Sequence, residues 1–249
     1  MTRGGEREEV RQSLEFGRWL TVDLHVGDHR GQVFKDFYDY FRRVVEDRRK
    51  TPKDDLASVI ANMKINGEPA PELETLSYFL TLATAGHDTT YATLAGGLLE
   101  LIRNPAQMAL LREKPELAAS AAEEMFRWVS PIKHFVRTAC ADTQLRGKTI
   151  KSGDHMMLCY PSANRDEEVF DRPEQFRIDR TPNRHLGFGS GVHSCLGQHL
   201  ARFEVRTFFR EFVRRVEHIE LAGHFEYIHS NRASGPKLMP VRYQFKQGV

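Results

Sequence analysis

Cysteine is scarce in this chain. Only three cysteines occur among 249 residues, and they stand far apart, at Cys140, Cys159 and Cys195. An odd and sparse set excludes the disulfide framework of small secreted domains and is typical of a protein of the reducing cytoplasm. We expect Cys140 and Cys159 to be buried as small hydrophobic side chains.

The sequence also lacks an excess of one charge and a long hydrophobic run. Lys and Arg number 36 against 34 Asp and Glu, a formal charge of +2, which argues against a general nucleic-acid binder. The longest uncharged stretches, 77–86 and 89–99, are separated by Asp88. Neither reaches the roughly 18 apolar residues that a membrane helix needs. The N-terminal residues show no hydrophobic run, so we expect no signal peptide and no membrane attachment.

Helical hydrophobic periodicity covers most of the first half. Apolar residues recur at three- and four-residue spacing from Gly31 onwards, which predicts an amphipathic helix. Asp54 is placed to cap a short successor. A longer helix, roughly 50 Å in length, is predicted over 71–103. Residues 7–20 are interpreted as a further helix, within a segment 1–30 that is left unassigned.

The second half mixes helices with short strands. Helices are predicted over 105–113 and 117–129, and a hairpin follows in which Arg146-Gly147 turns 143–145 back onto 148–150. A strand over 156–160, an irregular stretch, a final helix over 196–216 and short strands complete the pattern. The fold class is therefore mainly α with minor β, in one domain-sized part over 31–249.

The strongest chemical signal is the segment Phe188-Gly-Ser-Gly-Val-His-Ser-Cys-Leu-Gly197. Its three glycines allow left-handed backbone conformations and the close approach of a flat, bulky ligand. Cys195 is expected at the first turn of the final helix. There the helix dipole and free N–H groups favour a thiolate, the form of cysteine that binds metals.

Two alternatives remain for this segment. Cys195 can be a structural residue in a tight turn that leads into a helix. His193, Cys195 and His199 can also ligate zinc, although this triad has no evident partner cluster and spans two structural elements.

A second signal lies inside the long predicted helix, at Ala85-Gly-His-Asp-Thr-Thr90. Gly86 weakens a helix by about 1 kcal/mol relative to Ala. A carboxylate next to a hydroxyl is also unusual in an otherwise apolar helix, and such exceptions often mark functional sites. If Thr89 bonds back to a main-chain carbonyl, the helix bends and opens a groove that Asp88 and Thr89 can supply with protons. In the alternative, Asp88 is solvated and Thr89 merely packs.

The third signal is the pair Glu124 and Arg127, which share one face of the predicted helix 117–129. A surface pair of this kind contributes little to stability. It matters only if it is buried and extended by a third partner into a charge-assisted network. We expect that partner in the irregular stretch that contains Arg172 and Arg177.

The three motifs, in this order, resemble the cytochrome P450 family from about Gly31 to Val241. The resemblance implies the P450 fold and heme b (iron protoporphyrin IX), with Cys195 as the axial ligand of the iron. It implies that Asp88 and Thr89 deliver protons and that Glu124 and Arg127 are structural. The other positions that it assigns to the cofactor and its oxygen groove are Ala85, Gly86, His134, Arg137, Phe188, Gly189, His193, Leu196, Gly197 and Ala201. Of these, Arg137 and His193 would hold the haem propionates.

By the same resemblance the chain is a haem-thiolate monooxygenase, which hydroxylates C–H bonds with O2 and two electrons from a ferredoxin or flavoprotein. Segments 160–170 and 183–189 resemble bacterial P450s of the α-terpineol monooxygenase type. This implies a small terpenoid or another hydrophobic substrate.

The chain departs from the family at its N-terminus, where about thirty residues stand in place of a long portion that we cannot match. We therefore interpret it as a truncated P450. The alternatives are a catalytically inactive fragment, one half of a split enzyme that a second chain completes, and a His/Cys metal protein without haem.

Four arginines recur at every fourth position of the final helix: Arg202, Arg206, Arg210 and Arg214. We interpret them as a solvated face that Glu204 and Glu211 balance, in preference to a docking surface for an acidic ferredoxin.

Overall fold

The computed structural model describes residues 30–248. The predicted helix over 7–20 lies outside the described residues. The chain divides into two compact units, Met1–Asp88 and Thr89–Val249, and the boundary falls within one long helix. Within 30–248, no helix is both long enough and apolar enough to cross a membrane.

The described part of the first unit is a small helical body with one two-stranded ribbon. Helix α1 (Arg30–Lys50) is followed by α2 (Leu56–Ala61), by strands β1 (Lys64–Ile65) and β2 (Glu68–Pro69), and by the first half of α3 (Glu72–Arg103). The apolar stripe that predicted α1 forms the core of this unit, where Phe37, Val45, Ile60, Leu76 and Phe79 are buried.

The capping residue of α2 differs from the prediction by one position. Asp55, and not Asp54, is the N-cap, and its side chain accepts a hydrogen bond of 2.7 Å from the main-chain N–H of Ser58. Two neighbouring aspartates have the same capping chemistry, so the sequence alone did not distinguish them.

Helices dominate the first part of the second unit. Helix α3 continues to Arg103 and is followed by α4 (Pro105–Glu113), a 3-10 turn (Pro115–Leu117) and α5 (Ala118–Val129). The long helix and α4 therefore lie where they were predicted. The first residue predicted for α5, Leu117, belongs to the 3-10 turn, and the α-helix itself begins at Ala118.

Short antiparallel ribbons come next. Strand β3 (His134–Thr138) pairs with β6 (His155–Cys159), and β4 (Thr143–Leu145) pairs with β5 (Lys148–Ile150). The predicted hairpin is confirmed at its bounds, whereas β3 was not predicted as a strand. A short helix, α6 (Tyr160–Ala163), then leads into the irregular stretch.

The chain ends in one long helix and two further ribbons. Helix α7 (Gln198–Arg215) continues directly into β7 (Val216–Leu221), which pairs with β10 (Val241–Phe245), while β8 (Glu226–Tyr227) pairs with β9 (Pro236–Leu238). Helix α7 begins two residues later than predicted, after the N-cap Gly197.

The core of the second unit lies between α3, α5 and α7. Its fully buried side chains include Leu101, Met125, Val205 and Phe209, and each such side chain contributes about 1.5–3 kcal/mol by leaving water. Helices α3 and α5 approach closely, because a Cβ added to Gly96 would lie 2.7 Å from a methyl group of Val129.

The prediction that two of the cysteines are buried is wrong for Cys140, which is exposed, and only partly met by Cys159, which is half-buried. Cys140 lies two residues beyond the end of strand β3, in the bend before β4, and its thiol is exposed there. All three thiols are free, as the odd and sparse count indicated.

Candidate functional site

The segment 188–197 forms a tight loop that carries an exposed thiol. The main-chain N–H of Cys195 donates to the carbonyl of Phe188 over 2.8 Å and closes the loop. Gly189 and Gly191 have φ values of 69° and 62°, which side chains rarely tolerate. The third glycine, Gly197, has a φ of −82°, so only two of the three adopt the left-handed conformation that was expected.

Cys195 lies just ahead of helix α7 and not within its first turn. The carbonyl of Cys195 accepts from the N–H of Gln198 over 3.4 Å, and Gly197 is the N-cap residue. A Cβ on Gly197 would stand 4.0 Å from the Cys195 Sγ, so the sulfur lies over the residue at which the helix begins. The sulfur therefore still lies close to the positive end of the helix dipole.

Phe188 anchors the loop to the protein core. Its ring lies 4.4 Å from the ring of Phe126 on α5, measured between centroids, and it packs against the core of the second unit. Ala201, on the first turn of α7, packs against the same core. The loop is thus held on one side by hydrophobic packing, and its cysteine faces the other way, towards solvent.

Strand β3 belongs to the same neighbourhood. Phe135 on β3 packs edge-on against Tyr160 at 6.0 Å, and a Cβ on Gly189 would lie 3.8 Å from the Tyr160 hydroxyl. Arg137 and His134 sit two and one residues from Phe135 on this strand. Within the described part of the chain, no carboxylate pairs with Arg137, whose guanidinium donates only to the carbonyl of Val136.

Large apolar side chains around the loop are exposed. Val192 and Leu196, which flank His193 and Cys195, expose 98% and 69% of their surface, and Leu200 on α7 exposes 61%. Apolar side chains of this kind on a surface, next to an exposed thiol, are typical of a binding site for an apolar ligand.

The residues of the acid–alcohol motif lie near the middle of α3. Ala85 and Gly86 are exposed, and nothing lies within 4 Å of the position that a Cβ on Gly86 would take. Asp88 ends the first unit and Thr89 begins the second. The carbonyl of Thr89 accepts a hydrogen bond of 2.9 Å from the Thr93 hydroxyl, one turn further along the helix.

The predicted Glu124–Arg127 pair is buried and bidentate. Arg127 donates to both carboxylate oxygens of Glu124 at 2.8 Å, and both side chains are completely buried. A third charged residue extends the pair into a network, as is required for a pair of this kind to matter. This residue is Arg180, whose Nε lies 3.0 Å from Glu124 Oε2. Both members of the pair therefore have further hydrogen-bond partners in the irregular stretch.

The third partner lies in the irregular stretch, as expected, but it is Arg180 and neither Arg172 nor Arg177. Both guanidiniums pair with the exposed carboxylate of Asp171, and Arg177 reaches Glu124 only through its main-chain N–H, at 2.8 Å. The side chain of Arg172 is exposed and that of Arg177 half-buried, whereas the Glu124 carboxylate is fully buried.

A second acidic residue of α5, Glu123, was not singled out in the sequence. Its carboxylate accepts from Arg202 Nε at 2.7 Å and from His185 Nε2 at 3.0 Å. Burial alone would raise the pKa of Glu123, but the hydrogen bonds from His185 and Arg202 outweigh it and lower the pKa to about 2. Nothing in the local pattern marks this cluster, because Glu123 lies more than 60 residues from both of its partners.

The four arginines of α7 do not form one uniform face. Arg202 is turned inwards to Glu123 and stacks over the Phe188 ring at 4.4 Å. Arg214 pairs with Glu211, as expected of a balanced surface, while Arg206 and Arg210 are exposed.

The structure does not assemble the alternative zinc site. Among residues 30–248, which contain His193, Cys195 and His199, no group of three or more His, Cys, Asp or Glu side chains could hold a metal ion.

Comparison with known proteins assigns the family. The model of the family described as "Cytochrome P450" matches residues 8–223 of the chain. The chain belongs to the cytochrome P450 family. The match begins well before Gly31, where the resemblance of the motifs starts.

Relatives and solved structures agree with this assignment. The chain is 49% identical to cytochrome P450-terp of a Pseudomonas species over 85% of its length and 50% of the relative's. It is 38% identical to a steroid C26-monooxygenase of Mycobacterium tuberculosis, over 95% of this chain and 66% of that one. The structure of CYP108D1 from Novosphingobium aromaticivorans superposes with a TM-score of 0.84 at 38% identity, over 96% of this chain and 58% of that one. The chain thus has a P450 fold, and spans about half to two thirds of the length of these relatives.

The P450 family implies a haem cofactor, and the residues of the loop fit such a group. Haem is a flat, largely apolar ring with an iron ion at its centre and two acidic propionates at one edge. The exposed thiol of Cys195 offers a soft ligand, Val192 and Leu196 offer apolar surface, and Arg137 offers a cation without a carboxylate partner among the described residues.

Proposed function

We propose that this chain carries the haem-thiolate site of a monooxygenase, with Cys195 as the axial ligand of heme b. The observation that supports the proposal most directly is the closed loop 188–197, which presents the thiol to solvent while Phe188 is fixed in the core. Cysteine ligation supplies electron density that favours cleavage of the O–O bond, and the haem when bound supplies the chemistry of C–H hydroxylation with O2 and two electrons.

We further propose that the loop and β3 bind the cofactor through distinct contacts. Arg137 and His193 would pair with the propionates, because a guanidinium and an imidazole suit carboxylates. His134, Phe188, Gly189, Leu196, Gly197 and Ala201 would shape the surface that the ring contacts. A planar ring can approach Gly189 and Gly191 closely, because neither carries a side chain.

The long helix α3 would supply protons and space for O2. Gly86 has open space at its Cβ position, which suits a groove lined by Ala85 and Gly86. Asp88 and Thr89 carry the acid and the hydroxyl that a proton relay needs, and we assign them that role.

The proposed substrate is a small terpenoid or a similar alicyclic molecule. The identity to cytochrome P450-terp and the likeness of segments 160–170 and 183–189 to terpene-hydroxylating P450s support this choice. A steroid is the second candidate, because a steroid C26-monooxygenase is 38% identical. Titration of the haem-loaded chain with a monoterpene alcohol and with a steroid, followed by difference spectra, would separate the two by their dissociation constants.

The proposed electron donor is a ferredoxin or a flavoprotein, acting in the cytoplasm. The exposed Arg206 and Arg210 remain available on α7 for an acidic partner, while Arg202 and Arg214 are already paired. Charge reversal at Arg206 and Arg210 should slow reduction and weaken its dependence on salt if the donor binds there. Unchanged reduction would favour the solvated face that the sequence indicated.

The test of the proposed site is the absorption spectrum of the purified chain, loaded with haem, reduced with dithionite and treated with carbon monoxide. We expect a strongly red-shifted Soret band for the unmodified chain and for Cys140→Ser, a control at another exposed cysteine. Cys195→Ser should lack that band, because a hydroxyl does not replace the thiolate.

The same spectrum tests the competing hypothesis that the chain alone holds no productive haem. In that case the unmodified chain shows no Soret band, or one at the position typical of neutral ligation. The experiment is then repeated with a candidate partner chain added, which should restore the red-shifted band if this chain is one half of a split enzyme.

A further inference from the structure

The ring of Phe188 is held from more than one side by polar groups of a single cluster. The Arg202 guanidinium lies 4.4 Å from the ring centroid, within the range of a cation–π contact. The imidazole of His185 lies 5.7 Å from the same centroid, tilted by 49°. Both groups bind the carboxylate of Glu123 on α5. One carboxylate therefore fixes two of the groups that surround the ring.

His185, a member of this cluster, also binds the main chain of Gly187, the residue before Phe188. The N–H of Gly187 donates to His185 Nδ1 over 3.1 Å, so this nitrogen accepts a hydrogen bond. The proton of the imidazole is then on Nε2, which donates to Glu123 Oε2 over 3.0 Å. Glu123 thus selects the tautomer of His185 that can hold Gly187, the neighbour of Phe188.

Little room is left for this arrangement to shift. The side chain of His185 is 2% exposed, and a Cβ on Gly187 would lie 3.0 Å from the carbonyl of Phe126. The side chain of Glu123 is 28% exposed and carries two charge-assisted hydrogen bonds, from Arg202 at 2.7 Å and 3.1 Å. The low pKa of Glu123 agrees with a carboxylate that stays ionised in this setting.

Phe188 in turn determines where the cysteine lies. Its carbonyl accepts the N–H of Cys195, the hydrogen bond that closes the loop. Glu124, the next residue on α5, pairs with Arg127 and Arg180 instead. The two neighbouring carboxylates therefore bind different sets of side chains.

We propose that Glu123 is a positioning residue for the cysteine loop: through Arg202 and His185 it fixes Phe188 and, through the Phe188 carbonyl, the place of Cys195. The consequence for haem ligation rests on the function proposed for Cys195. The positioning itself concerns contacts of this chain alone, and it is measurable without haem.

The first experiment measures amide hydrogen exchange of the haem-free chain, residue range 186–197, in Glu123→Gln. The variant loses a charged acceptor shared by two donors, so exchange in the loop should rise by about tenfold or more. Glu211→Gln is the matched control, because Glu211 also accepts from two arginines, Arg214 and Arg215, but at the far end of α7. It should leave the loop unchanged.

The second experiment uses the haem-loaded chains. We expect the reduced, carbon monoxide-treated Glu123→Gln to show less of the red-shifted band and more of the band of neutral ligation, with a shifted iron reduction potential. Arg202→Lys keeps the charge but loses the planar guanidinium, and it should give a smaller change in the same direction.

The outcomes are distinct for the two proposals. Unchanged exchange over 186–197 in Glu123→Gln overturns the positioning role, whatever the spectra show. Exchange that rises equally over α5 and α7 also overturns it, since Glu123 would then support the fold as a whole. Faster exchange confined to the loop supports the positioning role, and if the unmodified chain then shows no red-shifted band, either alone or with a partner chain, the function proposed for Cys195 fails by itself.

Discussion

Arg180 Nε donates to Glu124 Oε2 over 3.0 Å, although 56 residues separate the two. Glu124 also binds Arg127 on its own helix, and the three side chains are almost completely buried. A buried carboxylate between two guanidiniums is stable only if every remaining N–H finds an acceptor. Here the remaining N–H groups donate to main-chain carbonyls of the irregular stretch, which is thereby tied to α5.

Replacing Glu124 by Gln should therefore strongly destabilise the folded chain. Two buried guanidiniums would lose their counter-charge, and we expect the free energy of unfolding to fall by about 3–5 kcal/mol. The measurement is urea denaturation of the haem-free chain. Glu220→Gln is the control, because Glu220 pairs with Arg242 on the surface, and its loss should cost less than about 1 kcal/mol. Equal losses of unfolding free energy in both variants would show that the buried Glu124 contributes no more than a surface ion pair.

The close approach of α3 and α5 gives a second prediction. Gly96→Ala puts a methyl group 2.7 Å from the stiff, β-branched side chain of Val129, and we expect a loss of about 1–3 kcal/mol in the free energy of unfolding. Gly86→Ala on the same helix meets nothing within 4 Å, so it should raise stability by about 0.5–1 kcal/mol through helix propensity. Thermal unfolding of both variants separates packing from propensity. A stabilised Gly96→Ala would show that the helices can move apart.

A third prediction concerns pH. The pKa of Glu123 is lowered in the folded chain from 4.5 to about 2, so its contribution to stability is complete above pH 4.5 and is lost as the pH falls towards 2. The stability difference between the unmodified chain and Glu123→Gln, about 1–2 kcal/mol near neutral pH, should shrink over that interval. Urea denaturation at a series of pH values measures it. Glu113→Gln, at an exposed glutamate without an ion pair in the described range, should give no such trend.

The assignment of Thr89 to proton delivery gives a fourth prediction. In a haem-loaded, substrate-bound enzyme, Thr89→Ala should divert electrons from product to hydrogen peroxide and lower the product formed per electron by about tenfold or more. Thr90→Ala is the matched control, because the next residue points about 100° away around the helix. Product, peroxide and NAD(P)H consumption are measured together. Unchanged coupling in Thr89→Ala would remove this residue from the relay.

Locally encoded features of the fold were predictable from the sequence. The hairpin β4–β5 is confirmed because Arg146-Gly147 supplies a tight turn between two short runs. Helix α4 is confirmed because Pro105 opens it. Strand β3 was missed, since its pairing with β6 depends on residues about 20 positions away and its exposed, mixed pattern carries no clear period.

The candidate site was predictable only where residues are close in sequence. The loop 188–197 and the Glu124–Arg127 pair are local patterns. Arg180 and Glu123 were missed because their partners are brought together by the fold, and an isolated Arg or Glu carries no local signal of burial.

The hydrogen bonds that the irregular stretch offers to the buried Arg127 of α5 and to its own Arg180 all come from main-chain carbonyls, while its Phe170 ring lies against both guanidiniums. Arg127 and Arg180 donate to five carbonyls, those of Asn164, Asp171, Arg172, Pro173 and Gln175. Every amino acid has a main-chain carbonyl, so substitutions in this segment would not remove these hydrogen-bond acceptors. Adding or removing one residue would instead displace several acceptors together. Among relatives, this segment should therefore keep its length more strictly than its composition.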